Sequence, residues 1–263
     1  MGVVNGNLNT DSKISEKNPI GLNGVEFVEY TGPNVDFFEN LFSRMAFKKV
    51  SSQHGRNIHL YRQGDINFII NGEPSTFANS FSKLHGPSIC AVGFRVEDAD
   101  YALKEALRRG AKQYNGSDLE KGATPFQAIY GVGDSLIYFM DNKNRKILYE
   151  KILPVSQQDL KPRGVGFSIV DHFTNNVPRG DMQKWCSFYE NIFNFREIRY
   201  FDIRGEKTGL ISRAMKSPCG LFSVPINEPT EQKSQIQEYL DEYKGSGIQH
   251  LALLTDDIVA SLG

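Results

Sequence analysis

Two short apolar runs each carry one histidine where a buried strand would take Val or Ile: GVGFSIVDHFT over residues 164–174 and SGIQHLALLT over residues 246–255. A lone histidine in such a run is ordinarily a surface residue or a satisfied core residue. The pair His172 and His250 is different. His172 follows Val165, Phe167, Ile169 and Val170, and strand alternation puts His250 on one face with Ile248, Ala252 and Leu254. Two imidazoles on adjacent inward-facing strands can hold a divalent metal together with a carboxylate from a third strand. Such a face leaves three coordination positions open and suits the chemistry of non-haem Fe(II) oxygenases. Within the chain, Asp171 and Glu228 are carboxylates that could complete it.

Polar uncharged residues lie between or beside the histidines: Ser212, Asn227, Gln235 and Gln249. Asn and Gln can bind a phenol or a keto acid without competing for the metal. Asn227 equally suits a turn before Glu228-Pro229, and Gln235 a solvated position on the helix SQIQEYLDEY. Alternation points Gln249 to the face opposite His250. No GxSxG nucleophile motif is present. Gly131 and Gly133 stand alone, without the GxGxxG of dinucleotide binding.

The elements that must position these residues belong to a chain of 263 residues, enough for one large domain or two ordinary ones. Hydrophobic residues make up 40%, so a sizeable core can form. With 30 basic and 31 acidic residues the net charge is −1, which gives no electrostatic attraction to nucleic acid or an anionic membrane. No apolar run approaches the roughly 20 residues that cross a bilayer, and the polar N-terminus lacks a signal-peptide pattern. Cys90, Cys186 and Cys219 are odd in number and widely spaced, without a CxxC pair. They suit a reducing compartment, so a soluble cytoplasmic protein is expected.

Residues 1–21, rich in Asn, Ser and Lys, are expected to form a flexible tail. A first module is expected over 22–153. It opens with the strand GVEFVEYT and a helix over 35–45, with Phe38, Leu41, Phe42 and Met45 at helical spacing and Asn34 or Asp36 as cap. The strands FKKVSS, NIHLYRQG, INFIINGEP and SICAVGFRV follow. Asp98 or Asp100 opens a second helix, closed by Gly110. FQAIYGV, SLIYFMD and KILYEKI are predicted as the last strands. Residues 154–162, polar and containing Pro154 and Pro162, form a linker to a second module over 163–263.

The pattern then restarts. GVGFSIVDHF parallels GVEFVEYT, and FYENIFNFREI parallels FFENLFSRMAFKKV. SVPINEP parallels FIINGEP, and SGIQHLALLTDDIVASL parallels PSICAVGFRVEDADYAL. Matched segments in one order mark an internal duplication. Ala91 stands where His250 stands, so only the second copy keeps the histidines. Each copy has too many consecutive strands for a doubly wound sheet; α+β modules with helices on one face fit better. By its own template the second module stops at Gly263 inside a helix, with its last strands missing, and the sequence is expected to be a fragment.

The runs VDHFTNNV, GLISRAM, PINEP, KSQIQEYL and GIQHLAL closely resemble the 4-hydroxyphenylpyruvate dioxygenase family. GVEFVEYTGPN and AVGFRVEDA resemble its first, metal-free module, and the resemblance covers about residues 20–263. It implies the vicinal-oxygen-chelate fold of tandem βαβββ modules, here with the second incomplete. It also implies an Fe(II) cofactor on His172, His250 and a Glu beyond Gly263, and a substrate pocket using Ser212, Pro225, Asn227, Gln235 and Gln249. The implied reaction takes 4-hydroxyphenylpyruvate and O2, decarboxylates the keto acid, hydroxylates the ring, and yields homogentisate and CO2 in tyrosine catabolism. A homo-oligomer is expected at full length, and little turnover without the Glu. One alternative is 4-hydroxymandelate synthase, which hydroxylates the side chain; Pro225 and Asn227 favour the dioxygenase. A non-catalytic small-molecule binding module of the same fold is another alternative, distinguished by direct metal analysis.

Overall fold

Strand β1 (Leu22–Thr31) is buried along almost its whole length, because it lies inside a sheet covered on both faces. The computed structural model describes residues 12–116, 126–204, 209–231 and 233–262. After β1 come α1 (Asp36–Arg44), β2 (Lys48–Ser52), β3 (Ile58–Gln63), β4 (Ile66–Asn71), α2 (Phe77–His85), β5 (Ser88–Val96) and α3 (Ala99–Arg108). The first module closes with β6 (Ala128–Tyr130), β7 (Leu136–Met140) and α4 (Asn142–Ile147). The second runs β8 (Phe167–Asn176), α5 (Met182–Phe193), β9 (Arg196–Arg204), β10 (Gly209–Lys216), β11 (Ser223–Pro229), α6 (Gln235–Tyr243), β12 (Gly247–Thr255) and α7 (Ile258–Leu262).

Each module has one mixed sheet, in the orders β2-β3-β4-β1-β5-β7-β6 and β9-β10-β11-β8-β12. The duplication is visible in these orders. β1 is parallel to β4 and antiparallel to β5; β8 is parallel to β11 and antiparallel to β12. The second sheet repeats the first strand for strand as far as β12, which among the described residues pairs only with β8. The fold is the expected α+β pair of modules.

One core joins the modules. It takes Val28, Phe42 and Phe68 from the first and Phe173, Phe193 and Phe222 from the second, together with side chains of α1, α3 and α5. Phe94 on β5 is its hinge point. Its ring lies 5.1 Å from Phe222 and 5.5 Å, edge-on, from Phe193, and it is 0% exposed. A second cluster, including Phe27, Ala91, Leu136 and Tyr138, packs against the first sheet.

Several local expectations need correction. Residues 1–11 lie outside the described residues, but 12–21 are not loose. Asn18 is fully buried, its side chain donating to Leu22 O and accepting from Leu22 N (both 2.9 Å), and Ile20 is buried beside it. A local hydrogen-bonded clamp outweighs polar composition there. KILYEKI is helical rather than a strand, since Asp141 caps α4 by accepting from Asn144 N at 2.8 Å and the helix widens through Leu148–Ile152. The helix at FYENIF begins earlier, at Met182, and ends where Asn194 turns left-handed at φ 59°. Helix α2, capped by Thr76 on Asn79 N, was not anticipated. Asp98 caps α3 as expected, while α1 starts after Val35 with Asn34 accepting from Asp36 N. The linker is pinned along β3, where Gly64 N donates to Pro162 O and Arg62 to Leu160 O.

The shared aromatic core predicts that Phe94→Ala destabilises both modules together, by about 3–5 kcal/mol. Denaturant unfolding followed by far-UV dichroism and by the fluorescence of Trp185 should show one transition moved to lower denaturant. Two separated transitions would show that the modules unfold independently.

Candidate metal centre

Residues that are directly paired across strands share one face of the sheet. On that rule the second sheet presents three successive rows on one face. Ser212 on β10 pairs with Asn227 on β11, which pairs with Asn176 on β8. One step along, Ala214 pairs with Pro225, and His250 on β12 pairs with Thr174 on β8. In the last row His172 lies between Ser223 and Ala252. His172 and His250 are therefore diagonal neighbours on adjacent strands. Their ring centroids are 5.7 Å apart with planes at 81°. The sequence-predicted pair does come together.

Both rings are already held. His172 Nδ1 is 2.7 Å from Asp171 Oδ2, and His250 Nδ1 is hydrogen-bonded to Gln249 Oε1. His250 Nε2 lies 2.9 Å from the hydroxyl of Thr174, which is buried. Burial first, and the nearby His172 second, hold the His250 imidazole below its ordinary pKa. Both causes favour the neutral ring, the form that binds metal.

The expected pocket residues divide. Ser212, Pro225 and Asn227 share the histidine face, and Asn227 donates to Asn176 Oδ1 at 3.3 Å. Asn227 is therefore an in-register strand residue, not a turn. Gln235 begins α6 with an exposed side chain and no described contact to the others, the solvated alternative. Gln249 does not point away from His250, because a bulge between Ile248 and His250 breaks the alternation. Further shifts at Ala252/Leu253 and Leu254/Thr255 place their extra residues on β8, so along β12 Ala252 and Leu254 keep the alternation with His250.

Among the described residues no group of three His, Cys, Asp or Glu side chains is placed to hold a metal. Asp171 is engaged with His172. Glu228 accepts from the backbone N–H of Gly180 (3.0 Å) and Met182 (3.3 Å) at the start of α5, so it serves the helix. Thr174 and Asn176 were missed in the sequence. The signal was available, since both alternate with His172 along VDHFTNN.

A cavity of about 310 Å³ opens beside His250, between β12 and α1, with Phe38, Leu41, Gln249 and Leu251 in its walls; Ser212, Pro225 and Asn227 do not line it. The start of β12 is seated on the first module. Gly133 has φ 62°, and a Cβ there would meet Ser246 O at 1.8 Å.

Comparison with known proteins gives two family matches. Residues 16–152 match the N-terminal hydroxyphenylpyruvate dioxygenase family, and residues 169–262 match the glyoxalase/bleomycin resistance protein/dioxygenase superfamily. A protein named hemolysin VllY from Vibrio vulnificus is 47% identical over 92% of this chain and 69% of its own length. A 4-hydroxyphenylpyruvate dioxygenase from Pseudomonas aeruginosa is 42% identical over 97% of this chain and 72% of its own length. Among solved structures, a variant 4-hydroxymandelate synthase from Streptomyces coelicolor superposes with a TM-score of 0.77 at 20% identity, covering 92% of this chain and 74% of its own. That likeness is one of fold.

The seating of β12 carries a prediction. Gly133→Ala should displace the Ser246 carbonyl and loosen the His250–Thr174 register. The expected loss of stability is at least about 1–3 kcal/mol, the cost of overpacking. Amide exchange along β12 should accelerate more than along β9. Unchanged protection of the Leu251 and Leu253 amides would contradict it.

Proposed function

This chain belongs to the 4-hydroxyphenylpyruvate dioxygenase family, and from that premise we propose that it binds Fe(II) through His172 and His250 and acts on 4-hydroxyphenylpyruvate and O2, giving homogentisate and CO2. The observation that carries the reading is the meeting of the two imidazoles on adjacent strands, one row from a polar uncharged face. Neutral imidazoles with an anionic oxygen donor suit Fe(II). His172 and His250 supply the nitrogen part of such a set, and the set asks for one carboxylate more. His172 and His250 would hold the metal, which when bound would supply coordination of the keto acid and activation of O2.

The remaining work belongs to this chain. Ser212, Asn227 and Asn176 form a row of hydroxyl and amide groups that can orient the phenol by hydrogen bonds. Their neutrality matters, because a carboxylate there would compete for the metal and a cation would capture the keto acid away from it. Pro225 donates no backbone hydrogen and presents a rigid apolar surface beside Thr174. It is suited to lie against the substrate ring. Gln249 and Gln235 enter this reading differently. The first touches a ligand and the second is solvated in the structure, so Gln235 would reach substrate only by moving.

The test is anaerobic loading with Fe(II) followed by 4-hydroxyphenylpyruvate, watching for the visible charge-transfer absorption of an iron-bound keto acid. The band should appear and should be lost in His172→Ala and in His250→Ala. Admission of O2 should then give homogentisate. 4-Hydroxymandelate would establish the synthase reading instead. A folded protein that shows no band with 4-hydroxyphenylpyruvate would overturn the proposal.

A further inference from the structure

Two strand irregularities lie immediately before the two histidines. In β12 the register passes from Ile248 to His250 while β8 advances by one residue, leaving Gln249 extra. In β8 the register passes from His172 to Val170 while β12 advances by one, leaving Asp171 extra. In a regular strand the residue before a histidine points to the opposite face and cannot reach its ring. At a bulge it can. Asp171 and Gln249 both do so, and both reach Nδ1 rather than Nε2.

We propose that Asp171 and Gln249 are positioning residues that fix the tautomer of both imidazoles, each taking the Nδ1 proton of the histidine that follows it, while Thr174 occupies His250 Nε2 until a metal displaces it. The inference rests on the assignment of His172 and His250 as metal ligands and adds the groups that aim them. An ionised carboxylate and an amide oxygen only accept hydrogen bonds, so each Nδ1 must carry the proton. In the neutral ring Nε2 is then a lone pair. At His250 that lone pair faces the Thr174 hydroxyl, which must donate to it. The buried hydroxyl thereby gains the partner it requires. The opposite tautomer would set the Nδ1 lone pair against Gln249 Oε1 and lose a hydrogen bond. Of the two neutral tautomers, the contacts of His250 with Gln249 and Thr174 favour the one protonated at Nδ1. Gln249 has this work in the metal-free protein, distinct from contact with substrate.

The experiment is long-range 1H–15N NMR of the histidine rings in the metal-free protein, paired with Co(II) titration followed by visible absorption. In the wild type both His172 and His250 should carry their proton on Nδ1. Asp171→Ala and Gln249→Ala should lose that preference at His172 and His250 respectively, and should weaken Co(II) binding roughly 10–100-fold. Asp171→Asn and Gln249→Glu keep an acceptor oxygen and should restore the tautomer, which separates positioning from misfolding. Thr174→Val should bind Co(II) at least as tightly as the wild type, since it vacates Nε2. Proton density on Nε2 in the wild type, alanine variants indistinguishable from it, or weaker binding in Thr174→Val would each overturn the proposal. His172→Ala and His250→Ala serve as the control. Co(II) binding that survives both would remove the metal assignment while leaving the tautomer result standing.

Discussion

Backbone alternation is the constraint that this site works against. A strand sends neighbouring side chains to opposite faces, so a histidine on a regular strand can be supported only from other strands. The extra residues Asp171 and Gln249 remove that limit at two places, one on each of the strands that carry a histidine. Each imidazole then has a partner from its own chain neighbour at Nδ1 and lies beside the other imidazole. The arrangement needs two facing bulges, because one would orient one ring and leave the second to rotate.

The first module shows what the same backbone does without the histidines. Its register skips Glu26 between Val25 and Phe27, and skips Cys90 between Ile89 and Ala91, the positions equivalent to Asp171 and Gln249. The bulges are therefore a property of the duplicated fold. Their side chains have been put to other uses. Phe27 stands where His172 stands, and its ring lies so close to Gly93 that a Cβ there would come within 2.5 Å. Glu26 is buried at 1% exposure and is met by Arg95, by Arg145 at 2.7 Å and by the Tyr149 hydroxyl at 2.7 Å. A buried carboxylate requires such partners. In the second module the equivalent Asp171 stays accessible, with a histidine as partner. One copy has closed this face with aromatic packing, and the other has kept it polar.

Much of this was legible in the sequence. The duplication followed from matched segments, and the two histidines stood out against apolar runs. Ser212, Pro225 and Asn227 fall on the histidine face because alternation holds along β10 and β11. What the sequence hid has one recurrent cause. KILYEKI alternates like a strand, yet a capping aspartate two residues before Lys143 starts a helix through it. Residues 12–21 look disordered by composition, yet one asparagine clamps them. Gln249 was assigned to the wrong face because a bulge leaves no mark in residue type. Caps, clamps and bulges are single hydrogen-bond events, and composition or periodicity averages over them.

The first module also has a mechanical part in the site. Among the described residues β12 carries His250 at the edge of its sheet, where a strand with one partner is free to twist or slip. Three contacts from the first module restrain it. Gly133 closes against the Ser246 carbonyl, which only a glycine allows. His85 on α2 donates from Nδ1 to Tyr243 O, 2.7 Å away, and stacks on the Tyr243 ring with centroids 4.3 Å apart, fixing the end of α6 just before β12. Phe94 on β5 packs against Phe173, the residue between His172 and Thr174. The restraints act at the start of β12, on the helix leading into it and behind its neighbour β8. The first module therefore has a physical part in positioning His250. It supplies the rigid surface against which an edge strand can hold one imidazole at a constant distance from another.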